Sequence, residues 1–217
     1  KLGRANNYHS FFDGCIVFPT CNEKGEIVSI YGRCIDESKE SKHRYLPGKH
    51  QGIYPHYPKA ETEKLIITEC IIDAATLLQI PEITSKYELM SCYGTNNFTE
   101  EHQNTIRNLQ QLKEVILFYD GDNAGREAIQ VHAKIISGIN PKIKISYVKN
   151  PDNEDINGLA QGHEPAIFTE LINNRKFRDP DDAPTQDTWP WVAAPEVPQS
   201  GQTADHFLHA QESQRAY

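Results

Sequence analysis

The chain has 217 residues, of which 38% are hydrophobic and 24% charged, with a formal net charge of −8 at pH 7. That length supports one domain of ordinary size with a small appendage. No apolar run is long enough to span a bilayer, which excludes a membrane role.

Residues Lys1 to His9 lack the basic start and apolar stretch of a secretory leader, so the cytoplasm is the expected compartment and the opening reads as internal to a longer protein. Cys15, Cys21, Cys34, Cys70 and Cys92 form no C-x-x-C pair, which argues against a zinc site and a disulfide framework. Most are expected to be small buried hydrophobes. The net negative charge is the wrong sign for coating nucleic acid, but it is unevenly spread. Over roughly the first 60 residues Lys and Arg outnumber Asp and Glu, with Arg33, Lys39, Lys42, Arg44 and Lys49 close together and His43 and His50 among them.

In chain order, Cys15–Pro19 and Glu26–Cys34 read as strands joined by a Gly25 turn, a hairpin. Leu65–Thr68 reads as a buried strand, and Ile71–Ile80 has helical spacing stopped by Pro81. Glu88–Tyr93 is a further strand, ending at the breaker Gly94. Thr99, with Glu100 and Glu101 behind it, is expected to cap a helix running to about Gln111, since a hydroxyl and negative charge suit the open N–H groups of a first turn. Val115–Tyr119 is the most apolar strand, and the helix Ala124–Ser137 follows. Ile143–Val148 is another strand, with weak helices from Ile156. Strands alternating with helices imply an α/β fold: a mainly parallel sheet of about four strands with helices on both faces, preceded by a small β-rich segment. The expected divisions are a β-rich basic subdomain over 1–60, an α/β domain over 61–175, and a disordered tail or linker over 176–217 containing Trp189 and Trp191.

Three expected strands end at acids: Glu69 with Asp73 one helical turn on, Asp120-Gly121-Asp122, and Asp152-Asn153-Glu154-Asp155. Parallel strands discharge at one edge of a sheet, so these carboxylates are expected to converge there. Such a cluster calls for a cation, and hard oxygen donors suit Mg2+ or Mn2+. No Walker A or G-x-G-x-x-G string occurs, so a P-loop has no support.

Thr68-Glu69-Cys70-Ile71-Ile72-Asp73, Gly94-Thr95, Tyr119-Asp120-Gly121-Asp122-Asn123-Ala124-Gly125-Arg126 and Pro151-Asp152-Asn153-Glu154-Asp155-Ile156-Asn157 resemble the motifs of the TOPRIM domain of bacterial DnaG-type primases. The resemblance covers roughly residues 11 to 172, and the stretch with Phe12-Asp13, Gly32-Arg33 and Arg44-Tyr45-Leu46 resembles the basic segment before TOPRIM in the primase RNA polymerase core. Two positions depart from the pattern: Cys70 stands where Gly is usual, and Asn157 where many primases have Asp.

The resemblance implies a TOPRIM fold and a catalytic-core fragment of a DNA primase, a nucleotidyltransferase that makes short RNA primers on single-stranded DNA in replication. It implies Glu69, Asp120 and Asp122 as catalytic residues, and Glu69, Asp73, Asp120, Asp122 and Asp155 as ligands of Mg2+ or Mn2+. Arg33, Lys42, Arg44 and Arg126 would contact nucleic acid or nucleotide. The implied partners are a single-stranded DNA template, ribonucleoside triphosphates and a replicative helicase engaged through regions outside this chain. The rival expectations are a TOPRIM nuclease or topoisomerase-like cleaving protein, and a non-catalytic TOPRIM module that binds nucleic acid.

Overall fold

The computed structural model describes residues 11–36 and 42–178. Lys39, Trp189, Trp191 and the remainder of the expected tail from 179 lie outside the described residues. Among the described residues no helix is long and apolar enough to cross a membrane.

The amino-terminal strands are β1 (Cys15–Cys21), β2 (Ile27–Cys34) and β3 (His43–Tyr45), paired antiparallel in that order. The expected hairpin is present. Its turn is drawn tight by the Asn22 Oδ1, which accepts from the N–H groups of Lys24 and Glu26, each at 3.0 Å. Gly25 closes it at φ +77°, a conformation that costs glycine little. β3 is an addition to the expectation: His43-Arg44-Tyr45 has no apolar alternation to announce a strand.

A short link through Ile53 and Tyr54 bridges to Cys21 on one side and to Ser91 on the other, tying the small sheet to the large one. The chain then runs β4 (Lys64–Thr68), α1 (Ile71–Leu77), α2 (Pro81–Thr84), β5 (Glu88–Ser91), α3 (Glu100–Asn108) and β6 (Glu114–Phe118). It continues with α4 (Asn123–Ile139), β7 (Lys144–Tyr147), α5 (Ile156–Gly162), α6 (Ala166–Asn173) and β8 (Lys176–Phe177). The strand order is β5-β4-β6-β7-β8, with β8 alone antiparallel to its neighbour. The expected four parallel strands are there, and β8 adds an edge just past the expected boundary at 175.

Two local expectations are refined. Pro81 stops α1 but also opens α2, because its ring presets a first-turn φ and its missing N–H is not needed there. Thr99 is the N-cap of α3 as expected, and the capping box is completed by His102 rather than by a glutamate: its Nδ1 accepts the Thr99 N–H at 3.1 Å. Glu101 turns away to accept from the Gly52 N–H at 2.8 Å and the Tyr57 hydroxyl at 2.5 Å, fastening the link to α3.

All five residues of β6 are buried, as a central parallel strand covered on both faces requires. Ile66, Ile116 and Phe118 pack with Leu77, Ile83, Ile156, Leu159 and Phe168 from α1, α2, α5 and α6. The alternate residues Leu65, Ile67, Val115 and Leu117 point to the other face and are also fully buried, which leaves that face for α3 and α4 with Ile106, Ile129 and Ile136. In register, Thr68 pairs with Ser91 and Phe118, so β4, β5 and β6 end level with one another.

Candidate metal and nucleotidyl-transfer site

Because β4 and β6 end level, Glu69 and Asp120 emerge from the same rim, each straight off a buried strand. The Oε2 of Glu69 and the Oδ1 of Asp120 are buried and have no hydrogen-bond partner in the protein. Burial and the neighbouring acids Asp122, Asp73 and Asp155 raise the Glu69 carboxyl from 4.5 to about 7, a rise that the Asp120 backbone N–H only partly offsets. Burial, followed by the charges of Asp73, Glu69, Asp155 and Asp122, raises Asp120 from 3.8 to about 8. The acids therefore feel one another across the rim, as convergence demands.

The other three acids stand differently. Asp73 is 2% exposed and its carboxylate accepts from the Cys70 N–H at 3.3 Å and the Cys70 thiol at 3.0 Å, closing the first turn of α1. Burial is the largest cause that lifts it to about 6, and the charge of Arg33 pulls it back down. Asp122 is exposed and caps α4 by accepting from the Gly125 N–H at 2.7 Å. Asp155 is exposed and caps α5 by accepting from the Gly158 N–H. Among the described residues no three His, Cys, Asp or Glu side chains form a group able to hold a metal ion by themselves. The structure thus brings Glu69 and Asp120 together at the buried rim and turns Asp73, Asp122 and Asp155 into helix caps around it.

The loops beneath are held by backbone. The Gly121 N–H donates to the Glu154 carbonyl at 2.8 Å, and the Asn153 N–H returns a bond to the Gly121 carbonyl at 3.0 Å. A Cβ on Gly121 would stand 1.8 Å from the Pro151 carbonyl oxygen, and one on Gly125 would stand 2.3 Å from that of Asp120. These two glycines are what lets the Asp120–Asp122 loop lie against the Asp152–Asp155 loop. Arg126, expected at nucleic acid or nucleotide, braces the same loop: its guanidinium donates to the Gly121 carbonyl at 2.6 Å, to Asn123 Oδ1 at 2.7 Å and to Asp152 at 3.3 Å.

Sequence reasoning passed over Asn150 and His132. Asn150 donates from Nδ2 to the Tyr119 carbonyl at 3.0 Å, and its own Oδ1 is buried without a partner. His132 of α4 lies 2.7 Å from the Tyr119 hydroxyl, and burial lowers it to about 4, which keeps it neutral. Both fix the residue before Asp120. Asn150 had a legible signal, standing one residue before Pro151 at the end of the fourth expected strand; His132 had none beyond its place on the inner face of α4.

The basic residues divide. Pairing sets Tyr31 against Tyr45, Gly32 against Arg44 and Arg33 against His43, so Arg33 and Arg44 face opposite sides of the small sheet. Arg33 shares its face with Tyr31, which packs with Ile71 at the start of α1, and it lies 2.8 Å from His43 Nε2. Arg44 reaches the other way and donates to the Phe11 carbonyl at 2.6 Å. Lys42 donates to the Asp36 carbonyl at 3.2 Å. The single groove expected to hold Arg33 and Arg44 is therefore split: only Arg33 looks toward the rim acids.

Residues 66–160, which follow the small antiparallel sheet, match the family model described as Toprim-like. The chain is similar to DNA primases. A DNA primase of Buchnera aphidicola is 27% identical over 175 residues, covering 75% of this chain and 29% of that protein. One of Rickettsia felis is 28% identical over 195 residues, covering 81% and 31%. The chain thus spans under a third of these curated relatives. The fold matches a DnaG catalytic core with TM-score 0.62 at 22% identity, over 76% of this chain and 54% of that one. It also matches the Aquifex aeolicus primase, zinc-binding and RNA polymerase domains, with TM-score 0.59 at 20% identity, over 81% and 44%.

Proposed function

We propose that this chain is part of the catalytic core of a DNA primase, joining ribonucleotides on a single-stranded DNA template. The observation that carries the reading is the pair of buried, unpartnered carboxylate oxygens of Glu69 and Asp120 at the carboxyl edge of a Toprim-like sheet. Two half-buried acids, each with one buried oxygen that no protein group meets, resist both being charged at neutral pH without a cation. Their all-oxygen donor set fits Mg2+ or Mn2+, with water and phosphate oxygens completing the shell that the side chains leave open. Bound there, such a cation would supply positive charge for activating an attacking 3′ hydroxyl and for offsetting the charge on leaving pyrophosphate.

The chain's own residues supply the rest. Glu69 and Asp120 would offer their carboxylate oxygens to that cation, giving up their protons to do so. Asp122 and Asp155 have one oxygen each on a helix cap and a second to offer outward, whereas Asp73 steadies the turn after Glu69. Arg33, on the face of the small sheet that packs toward α1, would meet a phosphate near the rim. One matched structure is a DnaG catalytic domain bound to single-stranded DNA, with TM-score 0.61 at 22% identity, and the same template class is proposed here. Ribonucleoside triphosphates are the proposed substrates, and a replicative helicase the proposed partner of the parent assembly. Residues 1–60 form the proposed basic subdomain and 61–175 the Toprim-like domain.

A second reading, a module that binds nucleic acid without chemistry, is favoured by the commitment of Asp73, Asp122 and Asp155 to caps. Primer synthesis separates the two. With single-stranded DNA, ribonucleoside triphosphates and Mn2+, the chain or its parent assembly makes short RNA, and Asp120→Asn lowers the yield at least about 100-fold, the scale expected when charge stabilisation at the transition state is lost. Equal yield from the variant leaves the binding module standing, and nicked DNA in the absence of ribonucleotides points to a nuclease.

A further inference from the structure

Sequence spacing gave no reason to pair any two cysteines, and β-pairing supplies one. Cys15 opens β1 and Cys34 closes β2, and the two are direct cross-strand partners at the open end of the hairpin, away from the Gly25 turn. Their Sγ atoms are 2.8 Å apart, well inside the usual separation of two unbonded sulfurs. The backbone position is the suitable one. The Cys34 N–H donates to the Lys42 carbonyl on the β3 side and the Cys15 N–H to the Phe12 carbonyl, so neither bonds to the other residue. Directly opposed residues that do not exchange hydrogen bonds are the closer-set pairs of an antiparallel ladder, with Cα atoms about 4.5 Å apart. That lies within the 4.4–6.8 Å that a disulfide spans, roughly speaking.

We propose that Cys15 and Cys34 are an oxidisable dithiol that closes to a disulfide across β1 and β2. The reaction is a thiol exchange with a small disulfide such as oxidised glutathione. Cys15, the more exposed of the two, attacks as thiolate, displaces one glutathione thiol and forms a mixed disulfide. Cys34, 3% exposed and already against it, attacks the Cys15 sulfur and releases the second glutathione thiol. The two protein thiols lose two electrons and two protons, and the glutathione disulfide gains both pairs.

Closure has a structural consequence beside the rim. The bond staples the end of β2 that carries Arg33. It also fixes the turn before β1, where the Gly14 carbonyl accepts from Ile35, the Phe11 carbonyl accepts from Arg44, and Phe12 covers Gly32. In a reducing cytoplasm the pair rests as two thiols, and oxidant stiffens the small sheet. The proposal rests on strand pairing and is independent of the primase reading.

The test is oxidation of the folded chain with oxidised glutathione, followed by thiol titration and peptide mass mapping. Two of the five thiols are expected to disappear, with one linked peptide pair joining Cys15 to Cys34 and a mass loss of two hydrogens. The oxidised chain should unfold at higher urea than the reduced one, and Cys34→Ser should abolish both the link and that shift. Cys21→Ser and Cys70→Ser, which alter the other half-exposed cysteines, should change neither. Five thiols remaining, glutathione left on Cys15 with Cys34 still titratable, or a link through Cys21 or Cys70 would each overturn the proposal. Because the wild-type map alone decides between these outcomes, a variant that folds poorly does not blur the result.

Discussion

β6 meets an acid near each of its ends, and the two are treated in opposite ways. At the amino end, Glu114 is 6% exposed and fully provided for: Arg175 grips it with Nε at 2.7 Å and Nη2 at 3.1 Å, and Ser146 donates to it at 2.7 Å. Burial alone would raise its carboxyl, but the Arg175 guanidinium and the Ser146 hydroxyl outweigh it and hold it below its ordinary value. At the carboxyl end, Asp120 has a buried oxygen with no partner and is pushed up to about 8. The fold is able to satisfy a buried acid, and does so where the acid is structural. At the other end it leaves an oxygen without a partner, and the proposed cation site rests on that asymmetry.

The comparison breaks most easily at its stable end. Arg175→Ala leaves Glu114 buried without its cation, and removing one partner of a buried pair typically costs about 3–5 kcal/mol. Urea unfolding of the variant should show a loss of that order, with the response of the remaining folded protein to Mn2+ unchanged. A loss below about 1 kcal/mol, the level of an exposed pair, would mean that Glu114 finds water instead and that the two ends are not different in kind.

Gly121→Ala comes next. Its Cβ would fall 1.8 Å from the Pro151 carbonyl oxygen, on backbone that cannot rotate aside, so the Asp120 and Asp155 loops must part. Overpacking of this sort costs about 1–3 kcal/mol. Stability should fall by that amount and the rise in melting temperature on adding Mn2+ should shrink, since the linkage scales with affinity for the folded state. An undiminished Mn2+ response would show that the cation does not need the two loops joined.

How much of this could be read beforehand depends on the range of the interaction. β6 was legible because Val115–Phe118 are apolar and buried, whereas its buried first residue, Glu114, fell outside the expected strand. β3 was not, because His43-Arg44-Tyr45 is polar and exists only by pairing with β2. Acids at strand ends were legible as positions, since parallel strands must end at one edge. The direction of their oxygens was not: the chain does not reveal that Asp122 turns to Gly125 while Asp120 stays open. Arg33 and Arg44 looked like one basic cluster, and only the odd separation of their positions along paired strands sends them to opposite faces. The grip of Arg175 on Glu114 joins residues 61 apart and had no local signal at all.

The smallest expected effect draws the finest distinction, between Asp120 and Asp122 within one loop. Both Glu69 and Asp120 have folded values above their unfolded ones, about 7 and about 8 against 4.5 and 3.8. Their contribution to stability is therefore fully present below pH of about 4 and is lost as pH rises through the folded values. The metal-free chain should unfold at progressively lower urea from pH 7 to pH 8, above the unfolded value of 6.5 up to which the lowered His102 and His132 act in the opposite direction, and Mn2+ should flatten that fall by replacing the protons. Asp120→Asn should make the metal-free fall shallower, because one of the two buried charges never forms. Asp122→Ala should lower the whole curve by about 1 kcal/mol through loss of the α4 cap, at pH 5 as at pH 8, and leave most of the slope in place. If the two variants instead shift the curve alike, Asp120 is a cap-like acid after all, and the open charge at the carboxyl end of β6 disappears as a distinguishing feature.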